Sequence, residues 1–183
     1  MQVRLVEWAR AGDHVAFREL IEQESGRCYA VAYRIVRESE PARDAVQQAF
    51  IQAWRELPNL RDADRFEPWL HRLLVRACYA EASRRRAWTS RMTVFEIEPR
   101  AEQDFTTGVA DRDAIDRAFR RLTPEHRAVV VLHHYLGLPL AAVGDVVGAP
   151  IGTVKSRLHY ATTALRSALD ADGRAGSLEE WPA

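Results

Sequence analysis

At 183 residues, 47% hydrophobic and 28% charged, the chain is long enough for one compact domain or two small ones and too apolar to be disordered. No apolar run approaches the roughly 18 residues that cross a bilayer, so no membrane insertion is expected. The start Met1-Gln2-Val3-Arg4, with Glu7 close behind and no long apolar core, is not that of a secretory signal. The formal net charge of +0 hides a partition: residues 69–91 hold 6 basic and 1 acidic group, 92–116 hold 2 and 7, and 117–169 hold 7 and 2. Two basic blocks flanking an acidic one suggest two contacts with a polyanion. Cys28 and Cys78, the only cysteines, lie far apart without His or Cys neighbours. They read as buried thiols in a reducing, cytoplasmic interior, and neither a disulfide nor a metal site is expected.

Along the chain, Asp13 can cap a helix whose stripe is Ala16, Phe17, Leu20 and Ile21. A second apolar series follows at Tyr29, Ala32, Tyr33 and Val36. Pro41 opens a third helix, carried by Ala45, Val46, Ala49, Phe50, Ala53 and Trp54 until Pro58 stops it. Residues 58–64 are loop-like, and a fourth helix runs from Trp69 through Leu74 and Ala77 into Arg84-Arg85-Arg86. From Thr89 to Val109 the periodicity fails, and clustered acids with Pro99 and Gly108 read as a linker. Thr123-Pro124 then starts a helix that Gly137-Leu138-Pro139 breaks. A short helix follows to Val147, and a last one runs from about Ile151 to Leu169.

The final pair, separated by Gly148-Ala149-Pro150, has the outline of a helix-turn-helix. At about 100° per residue, Val154, Leu158, Ala161 and Leu165 share one arc and face a core. The opposite arc carries Gly152, Ser156, His159 and Thr163, with Lys155 and Arg166 on one flank and Thr153 and Tyr160 on the other. A small, hydrogen-bonding, basic-edged face suits a major groove and its phosphates. An ordinary solvated helix is the bland alternative, and the scarcity of acids after such a turn weighs against it.

Leu122-Thr123-Pro124-Glu125-His126-Arg127, then Gly137-Leu138-Pro139, then Val146 through His159 with its Gly-Thr-Val-Lys-Ser-Arg-Leu run, resembles the −35-binding region of extracytoplasmic-function (ECF) sigma factors of the sigma-70 family. The resemblance extends to Gly12-Asp13 with Ala16-Phe17, to Ala42 through Trp54, and to Phe66 through Leu73. It covers about residues 10–88 and 112–169. It implies an alternative sigma factor that binds core RNA polymerase and promoter DNA, melts the promoter and catalyses nothing itself. The partners implied are the polymerase β′ clamp and β subunit, with an anti-sigma factor common in the family though unmarked in this sequence; no cofactor is implied.

Carried over residue by residue, Asp44, Gln47, Gln48 and Ile51 meet the polymerase. Arg61, Asp62, Phe66, His71, Arg72, Arg76, Arg84, Arg85 and Arg86 meet the −10 DNA, with an extruded base captured by the loop before the fourth helix. Thr153, Lys155, Ser156, Arg157, His159, Tyr160 and Arg166 meet the −35 DNA. The chain departs from the family pattern at Gln48, where an acid is usual. It departs again at Arg76 and Ala80, in place of Asn and Asp, and at Tyr160 and Thr162, in place of arginines.

The expected architecture is all-α. An N-terminal helical bundle (1–88) and a C-terminal helix-turn-helix (112–170) are joined by an acidic linker (89–111), with a tail from 171 to 183. A stand-alone helix-turn-helix regulator would explain the second half equally well but leaves the Asp44-to-Trp54 pattern without a purpose. An enzyme is disfavoured: His133 and His134 point about 100° apart without an acidic partner at metal spacing, and no phosphate-binding glycine loop or nucleophile–base–acid set is present.

Overall fold

The computed structural model describes residues 2–92 and 110–179, and all the secondary structure among them is helical. Helix α1 (Gln2–Arg10) buries Leu5, Val6 and Ala9, a stripe too short to stand out in the sequence. Asp13 caps α2 (His14–Val36), its carboxylate accepting from the N–H groups of Val15 and Ala16 at 2.8 and 3.2 Å. The two series expected as separate helices are one: burial of Leu20 on one side of Gly26, and of Cys28, Val31 and Ile35 on the other, outweighs the roughly 1 kcal/mol a helical glycine costs. Arg37 ends α2 in the left-handed region, φ 69°, its N–H donating to the Tyr33 carbonyl.

Helix α3 (Ser39–Glu56) presents Ala42, Ala45, Ala49 and Ala53 to the core, and these small residues let it lie close to α2 and α4. Beyond α3 the loop is two tight 3-10 turns, Leu57–Asn59, which contains Pro58, and Ala63–Arg65. Helix α4 (Phe66–Met92) runs past Thr89, where its periodicity was expected to fail. The acidic segment 93–109, most of the expected linker, lies outside the described residues.

Helix α5 (Ala110–Arg121) leads to Thr123, which caps α6 (Pro124–Val130) as its sequence predicts. A π-turn over Val131–Tyr135 continues α6, and Gly137 at φ 70° ends it. Helices α7 (Leu140–Val147) and α8 (Ile151–Glu179) complete the chain, α8 running beyond the expected end at Leu169.

The two halves are not apart. One apolar cluster joins Leu20, Ile35, Leu70 and Leu74 of the first to Leu132, Val143, Val146 and Val154 of the second. Helix α4 packs on α7 and α6, and α2 on α6.

Candidate nucleic-acid interface

The second half positions α8 through a pinched turn. The Ala149 N–H donates to the Gly144 carbonyl at 3.0 Å, and a Cβ on Gly144 would stand 2.9 Å from the Ala149 oxygen. Gly148 at φ 68° supplies the left-handed residue such a turn needs. From there α8 has two sides. Val154 and Ala161 are fully buried and Leu158 and Leu165 partly so, while Gly152, Lys155, Ser156, His159, Tyr160, Thr163 and Arg166 are exposed. Thr153 and Arg157 sit half-buried at the edges. The hydroxyl of Ser156 donates to the Thr153 carbonyl at 3.0 Å, so reading a base with it means giving up or sharing that bond. Tyr160 lies against His126 of α6, ring centroids 4.7 Å apart.

On α3, Asp44, Gln47, Gln48 and Ile51 are all exposed and fall within one arc, with Ala45, Ala49 and Ala53 turned inward. Arg55, four residues beyond Ile51, extends the same exposed row. Sequence reasoning passed over it, although its i, i+4 spacing was the available signal. Phe50 and Trp54 pack against the core, Trp54 within 4.6 and 4.8 Å of the His14 and Phe17 rings.

The expected −10 set divides. Arg61 and Asp62 are exposed in the loop, where the Asp62 carboxylate already accepts from the Asp64 N–H at 3.0 Å. Phe66 and His71 are each 2% exposed, packed within the first turns of α4. Arg76 is exposed and Arg72 half-buried. The Arg84–Arg86 run does not form one surface. Arg84 pairs with Glu81 at 2.6 Å and Arg85 with Glu38 of the chain before α3, whereas Arg86 is exposed and within electrostatic reach of Glu125 of α6. Arg84 and Arg85 instead edge an open groove of about 490 Å³ with Pro41, Glu81 and Trp88.

Cys28 and Cys78 are free and buried, and burial pushes both thiols up to about 12. Among the described residues no cluster of His, Cys, Asp and Glu could hold a metal ion, and no helix is long and apolar enough to cross a membrane.

Residues 20–89 match the family model of Sigma-70 region 2, and residues 118–167 that of Sigma-70, region 4. The fold and these two regions define a sigma factor of the sigma-70 family. Curated relatives narrow this. The chain is 34% identical over 155 residues to the ECF RNA polymerase sigma factor SigM of Mycobacterium tuberculosis, covering 85% of this chain and 78% of that protein. To SigE of Mycolicibacterium smegmatis it is 32% identical over 168 residues, covering 86% of this chain and 64% of that one. Among solved structures, RpoE in complex with the anti-sigma factor NepR from Bartonella quintana superposes with TM-score 0.69 at 22% identity, over 85% of this chain and 98% of that one. CnrH in complex with the cytosolic domain of CnrY gives 0.65 at 23%, over 93% and 98%. The chain therefore belongs to the ECF sigma factors, alternative sigma factors that direct transcription initiation by RNA polymerase.

Proposed function

We propose that the chain divides this work among three surfaces and performs no catalysis of its own. The exposed row Asp44, Gln47, Gln48, Ile51 and Arg55 docks on the β′ clamp of core polymerase. The loop around Arg61 and Asp62, with Arg72, Arg76 and Arg86 of α4, meets the −10 DNA, where arginines neutralise phosphates while the strand opens. The outer arc of α8 enters the major groove of the −35 element, Ser156 and His159 reading bases and Lys155 and Arg166 anchoring phosphates, with Thr153, Arg157 and Tyr160 at the edges.

The observation that carries this reading is the two-sidedness of α8: Val154 and Ala161 are wholly buried while Lys155, Ser156 and His159 stand in solvent directly after a helix-turn-helix turn. Work in the cytoplasm, beside polymerase and chromosome, follows from this function, and an anti-sigma protein belongs among the partners by likeness to RpoE with NepR. Run-off transcription with purified core polymerase on a promoter library tests the whole. Transcripts dependent on the chain are expected; a folded chain that neither copurifies with core nor starts transcripts favours a stand-alone regulator.

A further inference from the structure

Where the end of α2 meets α5 and α6, positive charge gathers with too few carboxylates to meet it. Arg37, the residue that ends α2, has a largely buried side chain and pairs with one oxygen of Asp116 on α5. The other oxygen of Asp116 is taken by Arg120, one turn along the same helix. Arg127 of α6 is only 8% exposed. The Nε atoms of Arg37 and Arg127 are both buried without a hydrogen-bond partner. A guanidinium N–H can only donate, so each of these two atoms lacks an acceptor.

Burial, with repulsion from Arg37, pulls the Arg127 guanidinium down to about 10. Arg37 is likewise held low, first by burial and then by Arg120, with Arg34 also in reach. Among the described residues, four guanidinium groups (Arg34, Arg37, Arg120 and Arg127) thus stand against two carboxylates, Asp116 and Glu125, an excess of two positive charges. Glu125 relieves little of it, because it is hydrogen-bonded to Thr123 and also answers Arg86 and Arg157. The Tyr33 and Phe119 rings, each with its centroid 5.7 Å from the Arg37 guanidinium carbon, flank the cluster with apolar surface. Such walls strengthen any ion contact made beside them. For packing alone, an apolar residue of similar bulk at position 127 would serve the fold better.

We propose that this cluster is a binding site for a small free phosphate anion, with Arg37 of α2 and Arg127 of α6 as its principal ligands. Planar guanidinium groups match the oxygens of a phosphate and form charge-assisted hydrogen bonds with them. A dianion balances the excess of two charges and gives each orphaned Nε an acceptor. Chloride has neither the charge nor the oxygens. The backbone of a nucleic acid offers the same phosphate chemistry, but a diester carries a single charge and is flanked by two sugars, too bulky for an arginine as enclosed as Arg127. Free phosphate, inorganic or at the end of a small phosphomonoester, is the better fit. Bound there it ties α2 to α6, so it stabilises the folded chain in proportion to its occupancy.

The test titrates the full-length chain with sodium phosphate near about pH 8, where the anion is mostly doubly charged, against sodium chloride at matched ionic strength. Calorimetry should show a site with a dissociation constant of about 1 mM or tighter, as two charge-assisted hydrogen bonds supply. At roughly tenfold excess over that constant the thermal midpoint should rise by about 3–6 °C. Dimethyl phosphate, a diester like the nucleic-acid backbone, should bind at least about tenfold more weakly. Arg127→Met keeps the bulk and removes the charge. It should be no less stable than wild type in chloride yet lose at least about tenfold in phosphate affinity. An arginine with a merely structural role would instead lower stability equally in both salts. Arg37→Asn, which tolerates the left-handed backbone, tests the second ligand and takes over if circular dichroism shows Arg127→Met unfolded. The exposed arginines of α4 and α8 remain in both variants, so a loss reports this cluster. Unchanged phosphate affinity in a folded variant, or a wild-type response to phosphate no larger than to chloride, overturns the proposal. Equal binding of the diester overturns the choice of a free phosphate.

Discussion

His71 lies in the N-terminal bundle with its Nδ1 unpartnered, and burial, helped by nearby Arg27 and opposed by Glu67, pushes its imidazole down to about 4. The fold therefore holds it neutral, while the unfolded chain protonates it near 6.5. Its contribution is complete above the unfolded value and is lost as pH falls from there towards 4. Between pH 7 and pH 5 urea denaturation should show a loss of about 2 kcal/mol, and His71→Leu should remove most of that pH dependence. Gly144 is the other residue with a single demand on it. The atom facing its missing side chain is a backbone oxygen, which cannot swing away. Gly144→Ala should destabilise the second half by about 1–3 kcal/mol and cut −35 binding, measured by thermal unfolding and by band shift; unchanged values would mean that the turn relaxes freely.

Within α8 the proposed readers and anchors should separate. Replacing Ser156 or His159 should change which −35 sequences are used, whereas replacing Lys155 or Arg166 should weaken all of them alike and flatten the salt dependence. Identical behaviour of the two classes across a −35 library would refute the division. Within α4 the arginine run should also split, because Arg84 and Arg85 already have carboxylate partners and Arg86 is exposed within electrostatic reach of Glu125. Arg86→Gln should lower open-complex formation, read as permanganate reactivity of promoter thymines. Arg84→Gln and Arg85→Gln should alter stability by less than about 1 kcal/mol and leave melting nearly intact.

Cutting the whole molecule near Phe105 should yield an N-terminal fragment that binds core polymerase, since α3 lies within it, and a C-terminal fragment that binds −35 DNA weakly. Severing the halves bares Val75 and Tyr79, so the N-terminal fragment should melt below the intact chain and regain part of the difference when the other fragment is added. The arcs of α8 were legible in the sequence because each needs only one helix's periodicity. The docking of the halves was not. On α4 the second apolar side is Val75 and Tyr79 set among Arg72, Arg76 and Arg86, and a helix buried on two sides shows no single stripe. Phe66 and His71 came from the family resemblance rather than from periodicity, so nothing in their spacing announced how deeply they are buried. Asp116 adds a consequence at this scale. Its second oxygen accepts from Arg120 Nε at 2.8 Å, one turn along α5. When Arg37 withdraws, the carboxylate keeps a partner, so separation strands no lone charge on α5. The ionic tie between α2 and α5 is then a single exchangeable bond, worth about 1 kcal/mol or less. The halves are therefore held chiefly by apolar packing that includes Leu70, Leu74, Val143 and Val146, so the junction should yield to temperature and denaturant far more than to salt.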